Sequence, residues 1–237
     1  MKFWRTKNAY NIYRVLTGRC NSYLVSYKGK NILVDTGTSL SYNMLMNNVR
    51  SILTNREQVD ILVLTHTHFD HCQNAARIRR DKGSVILASK NESIFTKIGY
   101  TPIPKGTLLF SKLISKVGTF LGSSCFGYPK FSADIEVDDK YNLEDFGMNL
   151  QIISTKGHTV GSISLIVDNE VAIVGDAMFG VFKNSILPPF ADNKQIMLES
   201  LNKLYETGCR LFLPGHGKSI GRELVYKEVI RINQETD

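Results

Sequence analysis

The stretch from Ile61 to Cys72, ILVLTHTHFDHC, constrains the fold of this chain more than any other feature. Its first five residues, Ile61 to Thr65, are apolar or β-branched, and such a run predicts a buried strand. The next residues include four metal-binding side chains: His66, His68, Asp70 and His71. Alternate residues of an extended segment point to one side, so His66 and His68 share a face. A helical pattern begins at Asp70, and the turn there directs Asp70 and His71 toward a second, neighbouring point.

The chain has two further histidines, and each sits beside glycine after an apolar, strand-like run. His158 lies in TKGHTVGS, His216 lies in LPGHGKS, and Asp176 in VAIVGDAMF has the same placement. A turn after a rigid strand end is a good position from which to project a ligand. Nitrogen and oxygen ligands in two clusters suit a pair of divalent cations. The alternative, chance or hydrogen-bonded core histidines, would have to account for all five histidines of the chain.

These motifs and their order resemble the metallo-β-lactamase-fold superfamily of hydrolases. The resemblance rests on the HxHxDH run and on the later GH, GD and PGHG turns, and it extends from Asn21 to His216. It implies an α/β fold, a four-layer αββα sandwich. The motifs are specific for the fold and the metal site, and they say little about the substrate.

The resemblance also implies a dinuclear site. One metal would be held by His66, His68 and His158, the other by Asp70, His71 and His216, with Asp176 bridging the two. The ions would be divalent, with zinc as the first choice and iron or manganese as alternatives. Asp35, in the turn Asp35-Thr36-Gly37, would brace the metal loop through hydrogen bonds; a purely structural role in that turn is the alternative.

The chemistry implied by the resemblance is hydrolysis by a hydroxide that bridges the two metals. Two cations lower the pKa of a shared water and polarise the scissile carbonyl or phosphoryl oxygen. Asp70 would be catalytic as well as a ligand, because it can orient the hydroxide and carry a proton to the leaving group. No serine or cysteine nucleophile is needed, and Cys72 is interpreted as structural.

Departures from known members of the superfamily bear on the substrate. Glyoxalase II-like members carry a Gly-Cys-Gly-Arg signature after the GD motif, where this chain has VFKN at 181–184, so glutathione thioesters are disfavoured. Acyl-homoserine lactonases carry tyrosine three positions after the bridging aspartate, where this chain has Phe179. Lys156, just before Gly157-His158, offers an anion contact or is a solvated lysine.

The prediction is therefore a metal-dependent hydrolase of a small ester, lactone, thioester or related bond. Two alternatives stay open: an iron-dependent oxygenase of the same fold, and a metal-dependent nuclease or phosphodiesterase. The net charge of +7 would attract nucleic acid, but lysine and arginine are spread along the chain. They do not interleave with aromatic residues in a stacking pattern, which argues against a nucleic-acid partner.

A length of 237 residues with 43% apolar residues and no Pro/Gly/Ser-rich linker predicts a single domain over residues 1–237. The segment from about 91 to 139 is longer than a simple connection needs and lies between the first and second metal motifs, so it is interpreted as a cap. Leu108 to Leu121 carries a helical apolar stripe, for which a core helix is the alternative. Phe110 and Leu113 are predicted to contact a substrate with an apolar group.

The first residues, the lack of long apolar stretches and the cysteines bear on the predicted cellular location. The first residues lack the apolar core of a signal peptide, and no stretch approaches the roughly 20 apolar residues of a membrane span. A soluble, cytoplasmic protein is therefore predicted. The four cysteines have no CxxC spacing, which predicts reduced thiols. The oligomeric state is left open.

Overall fold

Two mixed β-sheets pack face to face, and helices cover both outer faces. The structure, a computed structural model, describes residues 1–54 and 57–236. The layers follow the order helix, sheet, sheet, helix, so the predicted α/β four-layer αββα sandwich is confirmed.

Seven strands of the described chain form the first sheet, in their sequence order. They are β1 (Lys2–Arg5), β2 (Asn11–Leu16), β3 (Ser22–Tyr27), β4 (Lys30–Val34), β5 (Ile61–Val63), β6 (Val85–Ser89) and β7 (Ile135–Val137). The first four pair antiparallel, and β4 to β7 pair parallel. Lys28 and Gly29, with φ angles of 47° and 78°, make the two-residue turn of the hairpin that joins β3 and β4.

The second sheet has six strands among the described residues, in the order β13-β12-β11-β10-β9-β8. They are β8 (Lys140–Asn142), β9 (Leu150–Ser154), β10 (Ile163–Val167), β11 (Val171–Gly175), β12 (Leu211–Pro214) and β13 (Ile220–Gly221). β8 to β11 pair antiparallel, β11 and β12 pair parallel, and β13 closes the sheet antiparallel. The strands β9, β11 and β12 therefore run in one direction, and their carboxyl ends lie at the same edge of the sheet.

The helices of the described chain lie outside the two sheets. They are α1 (Tyr42–Arg50), α2 (Phe69–Cys72), α3 (Ala75–Lys82), α4 (Ser93–Ile98), α5 (Leu109–Phe126), α6 (Lys194–Glu206) and α7 (Arg222–Thr236). α1 buries Tyr42, Leu45, Met46 and Val49, which is the spacing of one apolar helix face. α6 begins after Asn193, whose side chain caps the helix by accepting a hydrogen bond from a backbone N–H.

Three buried apolar clusters hold these layers together, and β5 contributes side chains to two of them. Ile61 and Val63 point into the cluster between the two sheets, while Leu62 and Leu64 point into the cluster under α1 and α3. A third cluster lies between the second sheet and α6 and α7. Burying a side chain of this size contributes about 1.5–3 kcal/mol. With both faces buried, the strands give the loops at their ends rigid supports.

The segment 91–139, predicted as a cap, is an excursion from the first sheet that carries α4 and α5. Residues 135–137 form β7, so the part outside the sheets ends earlier than the predicted boundary. α5 is kinked at Gly122, and its buried positions are Ser111 and Gly118. The core-helix alternative is wrong, because the apolar stripe of α5 is largely exposed. None of the described helices is long and apolar enough to cross a membrane.

Candidate metal centre

Seven side chains converge where loops from the two sheets meet. They are His66 and His68 after β5, Asp70 and His71 in α2, His158 after β9, Asp176 after β11 and His216 after β12. In the second sheet β9, β11 and β12 end at the same edge, and in the first sheet β5 ends beside its parallel neighbours β4 and β6, so the loops that follow lie close together. The structure thus brings together all seven residues that the sequence predicted as metal ligands.

The potential ligand atoms form overlapping groups of the size of a metal site. Within 4.8 Å of one another lie the ligand atoms of His66, His68 and His158, those of His66, His71 and Asp176, and those of Asp70, His71 and His216. Nε2 of His158 is 3.1 Å from Nδ1 of His68, and Nε2 of His71 is 3.3 Å from Nε2 of His216. Asp176 lies between these pairs: its Oδ2 is 3.6 Å from His158 Nε2 and 3.3 Å from His216 Nε2.

Two histidines of the first group, His68 and His158, use their outward nitrogens as hydrogen-bond donors to the backbone. Nδ1 of His158 is 2.9 Å from the carbonyl oxygen of Phe190, and Nε2 of His68 is 3.3 Å from that of Pro102. A carbonyl oxygen only accepts, so the proton of each neutral ring belongs on the outward nitrogen. The inward nitrogen keeps its lone pair, which is the form that binds a metal.

Asp35 orients the other half of the centre. Its Oδ2 accepts from Nδ1 of His71 at 2.8 Å and from Oγ1 of Thr65 at 2.8 Å, and its Oδ1 accepts from the Thr65 backbone N–H at 2.8 Å. Oγ1 of Thr65 lies 3.2 Å from Nδ1 of His66 and accepts from it. One buried carboxylate therefore directs the inward nitrogens of both His71 and His66, which supports the bracing role over a purely structural one.

The centre has unsatisfied polar atoms that fit a cation. Nε2 of His66 and Oδ1 of Asp176 are buried and have no hydrogen-bond partner among the described residues. Leaving a buried donor or acceptor unpaired costs about 1–3 kcal/mol. The close nitrogen pairs would also repel if both lone pairs faced each other without a cation. The donor set, imidazole and carboxylate, is that of zinc and similar divalent ions.

Burial keeps the imidazole rings of His66, His68 and His158 neutral. It is the main cause that holds the pKa of His66 well below its usual value, with His71 and His68 adding to the effect. Burial, followed by the charge of His158, also lowers the pKa of His68 well below normal. The pKa of His158 is lowered by burial too. Three neutral imidazoles are ready-made metal ligands, since no proton has to leave.

The part of the centre around Asp176 and His216 is more strongly charged than the cluster of His66, His68 and His158. Burial alone would raise the pKa of Asp176, but His216 and His71 outweigh it and lower the pKa, so the carboxylate is ionised. Burial would lower the pKa of His216, but the charge of Asp176 outweighs it and raises the pKa. A proton and a metal cation therefore compete for the nitrogen that faces Asp176.

Comparison with known proteins supports what the geometry indicates. The sequence profile described as the metallo-beta-lactamase superfamily matches residues 15–216. The chain belongs to the metallo-beta-lactamase superfamily. A probable metallo-hydrolase of Methanocaldococcus jannaschii is 31% identical over 211 residues, which are 87% of this chain and 91% of the relative. The superfamily is one of metal-dependent hydrolases, and the predicted family and enzyme class are confirmed.

Solved structures of the superfamily share the fold. An archaeal metallo-beta-lactamase superfamily protein from Sulfolobus tokodaii aligns with a TM-score of 0.65 and 20% identity, over 93% of this chain and 85% of that one. A metallo-beta-lactamase family protein from Thermus thermophilus aligns with a TM-score of 0.68 and 21% identity, over 94% and 79% of the two chains. At these identities the likeness shows the fold alone.

Glu92 lies beside the candidate metal centre, and the sequence did not reveal it. It follows the end of β6 and is fully buried. Its Oε2 accepts hydrogen bonds from N and Oγ1 of Thr67, both at 2.5 Å, and its Oε1 accepts from Oγ1 of Thr159. Burial raises the pKa of Glu92, and the hydrogen bonds from Thr159 and Thr67 oppose that shift. One glutamate thus ties together the loops that carry His66, His68 and His158.

Two glycines permit this close packing. A Cβ atom at Gly161 would lie 2.3 Å from Cγ of Glu92, and one at Gly215 would lie 2.4 Å from Oδ1 of Asp176. Contacts this short do not occur at real Cβ atoms, so a side chain at either position would displace the carboxylate. The glycine in the predicted PGHG turn is therefore explained by its approach to the metal centre.

A cavity of about 220 Å³ opens onto the centre. Its polar wall includes His68, Asp70, His158, Asp176 and His216, and its apolar wall includes Ile103, Ile114, Phe126, Phe179 and Phe190. Phe179 was predicted at this pocket, and its ring centroid lies 4.9 Å from that of His216. Arg19, which the sequence did not single out, also lines the cavity and stacks over Phe69 at 5.0 Å.

Three of the predicted pocket residues do not line this cavity. Phe110 and Leu113 of α5 point to the surface, and Ile114 of the same helix faces the cavity instead. Successive helical residues differ by about 100° in direction, so a shift of one position changes which side chain reaches the site. Lys156 is also absent from the wall, and Arg19 is the basic residue that is present.

A larger cavity of about 400 Å³ lies elsewhere and contains none of the seven candidate ligands. Leu108, Phe182, Leu187 and Met197 contribute to its wall. The smaller cavity is the candidate functional one, because five of the seven candidate ligands line it, among them the ionised carboxylate of Asp176 and three histidines whose pKa values are shifted by burial and charge.

Proposed function

We propose that this protein is a dinuclear metal-dependent hydrolase of a small ester, lactone, thioester or related bond. The observation that carries the proposal is the position of Asp176, whose Oδ2 lies within 3.6 Å of nitrogens from both ligand groups. His66, His68 and His158 would hold one ion, Asp70, His71 and His216 would hold the other, and Asp176 would contact both. Zinc is the first choice, with iron or manganese as alternatives.

When bound, two divalent cations supply a water of lowered pKa and a Lewis acid for the substrate oxygen. The chain's own residues would orient the water, carry its proton and hold the ligands in position. Asp70 lines the cavity, with Oδ2 3.7 Å from Nε2 of His216, where it can orient the attacking water and carry its proton to the leaving group. The bonds from Asp35 to His71 and from Glu92 to Thr67 hold the centre in one geometry before substrate arrives.

The cavity indicates the kind of substrate. A volume of about 220 Å³ with walls from Ile103, Ile114, Phe126 and Phe190 fits a small apolar acyl or aryl group next to the reacting bond. Arg19 places a guanidinium at the same cavity, so a carboxylate or other anionic group on the substrate would be attracted to that side.

The proposal is tested with protein stripped by a chelator and reloaded separately with zinc, manganese or iron. We expect hydrolysis of short aryl esters, lactones or thioesters to disappear with the metal and to return with zinc or manganese. Oxygen consumption seen only with iron would assign the chain to the oxygenases instead. Cleavage confined to phosphodiesters would assign it to the nuclease or phosphodiesterase alternative.

Phe179 gives a sharper test of how substrate sits in the cavity. Phe179→Tyr adds a hydroxyl donor beside the metal centre, and a well-aimed donor is worth on the order of a hundredfold in turnover. We expect lactone turnover to rise toward that value, and turnover of activated aryl esters to change much less because their leaving groups need less help. The measurement is steady-state kinetics on one lactone and one aryl ester.

Phe182→Tyr is the matched control, because the Phe182 ring lies 5.8 Å from that of Phe179 but does not line the cavity at the candidate metal centre. It should leave both rates unchanged. Unchanged lactone turnover in Phe179→Tyr, with full metal content, would show that the Phe179 ring only packs against His216.

A further inference from the structure

α5 packs on the protein through its small residues. Ser111 and Gly118 are its buried positions, and a Cβ at Gly118 would lie 2.3 Å from Cδ1 of Ile103. The large apolar side chains point away from the protein, with Leu109 87% exposed and Phe120 89% exposed. We name as the α5 apolar face the exposed residues Leu109, Phe110, Leu113, Val117, Phe120 and Leu121. The usual orientation of an amphipathic helix is reversed.

A continuous apolar surface of this kind marks an interaction site in a folded protein. At about 100° per residue, the α5 apolar face covers one side of the helix. Ile114 stands at the border of that side and also lines the metal-centre cavity. The apolar face is therefore continuous with the mouth of the cavity.

The segment that carries this face has charges of a single sign. Residues 93–133 contain five lysines and no aspartate or glutamate. All five are exposed: Lys97, Lys105, Lys112, Lys116 and Lys130. The same helical geometry places Lys112 and Lys116 along one border of the α5 apolar face. Their long stems let the ammonium groups reach past the apolar side chains.

This charge pattern distinguishes between occupants. A second copy of the chain packed on the same face would bring lysines near lysines, with no acidic residue of the segment to compensate. A bilayer with anionic headgroups satisfies both features, since its acyl boundary takes up the apolar side chains and its headgroups pair with the lysines.

We propose that the α5 apolar face docks this protein on an anionic lipid surface. α5 lies in the plane of the interface, with Leu109 and Phe120 in the acyl boundary and Lys112 and Lys116 at the headgroups. It does not span the bilayer, as none of the described helices is suited to that. The docking goes beyond the proposed hydrolysis and does not depend on it. Its consequence is that the cavity opens beside the membrane.

The test uses the full chain and vesicles of phosphatidylcholine with or without phosphatidylglycerol. Cys125 lies near the end of α5 and is exposed, whereas Cys20, Cys72 and Cys209 are buried, so a fluorophore sensitive to polarity can be attached at Cys125. We expect a blue shift and flotation with anionic vesicles only, and weaker binding as salt is raised.

Two double variants separate the apolar and charged contributions. Leu109→Ser with Phe120→Ser, and Lys112→Glu with Lys116→Glu, should each weaken vesicle binding by on the order of tenfold or more. Phe3→Ser, which removes a half-exposed ring from β1 at the far edge of the first sheet, is the matched control and should bind like wild type. Circular dichroism and thermal unfolding confirm that each variant is folded.

Three results would overturn the docking proposal. The first is wild-type protein that fails to float with anionic vesicles. The second is a folded Leu109→Ser, Phe120→Ser variant that binds as well as wild type. The third is a dimer in sedimentation experiments that this variant abolishes, without vesicle binding by wild type, which would assign the face to a second copy of the chain. None of these results depends on hydrolytic activity.

Discussion

Asp176→Ala is expected to remove one of the two proposed metals and to lower turnover by at least on the order of a hundredfold on every hydrolysed substrate. The reason is the position of the carboxylate between His158 and His216, where it is buried and ionised. Alanine leaves those nitrogens without the shared negative charge. Metal content by elemental analysis and steady-state kinetics on the same preparation measure the two effects.

Asp139→Ala is the matched control. Its carboxylate is 77% exposed and pairs with Lys203 at the surface, far from any predicted ligand in the sequence. Such exposed pairs contribute about 0–1 kcal/mol, so metal content and turnover should match wild type. An Asp176→Ala protein that keeps its metal and its turnover would contradict the bridging assignment.

Glu92→Ala is expected to weaken both the fold and the metal centre. It leaves donors of Thr67 and Thr159 buried without their acceptor, at about 1–3 kcal/mol for each unsatisfied group. Because these residues adjoin His66, His68 and His158, metal affinity should fall by about 10–100-fold, as for other residues that orient ligands. Chemical denaturation measures the first effect, and chelator competition measures the second at a temperature where the protein is fully folded.

Glu136→Ala, an exposed glutamate on β7, should change neither quantity. Glu92→Gln tests the positioning role directly, because glutamine keeps the volume and one acceptor oxygen. It should recover part of the metal affinity. If folded Glu92→Ala binds metal as tightly as wild type, Glu92 stabilises the fold without positioning the ligands.

The fold and the gathering of the ligands could be predicted because their signals are local. The alternation of Ile61 to Leu64 between two cores and the glycine-flanked turns at His158 and His216 are properties of short segments. The superfamily motifs then supplied the order of the layers. The assignment of the seven residues to two metals stays a prediction until metal is measured.

Other features depend on what covers a residue, which a local pattern does not contain. The periodicity of α5 showed an apolar stripe, but Ser111 and Gly118 allow that helix to pack with the stripe outward. The sequence around Glu92 contains no pattern that distinguishes a buried glutamate from an exposed one. The parallel strands β4, β5 and β6 end at one edge of the sheet, and Asp35, His66 and Glu92 follow them there. Only this arrangement in the fold shows that Glu92 lies beside the candidate metal centre.

The sequence does not mark strand β1 for a related reason. Lys2–Arg5 reads KFWR, a short and mostly exposed segment whose pairing with β2 is set by its neighbour more than by its own composition. The same holds for Arg19 and Lys156: both are basic residues beside a motif, and only the three-dimensional arrangement shows that Arg19 lines the cavity.

The most direct measurement of the central claim is the metal stoichiometry of the wild-type protein. The protein is stripped with a chelator, reconstituted with excess zinc, manganese or iron, desalted and subjected to elemental analysis. Two ligand groups that share Asp176 predict close to two equivalents per chain for at least one of these metals. A content that never exceeds one equivalent with any of them would contradict the dinuclear centre.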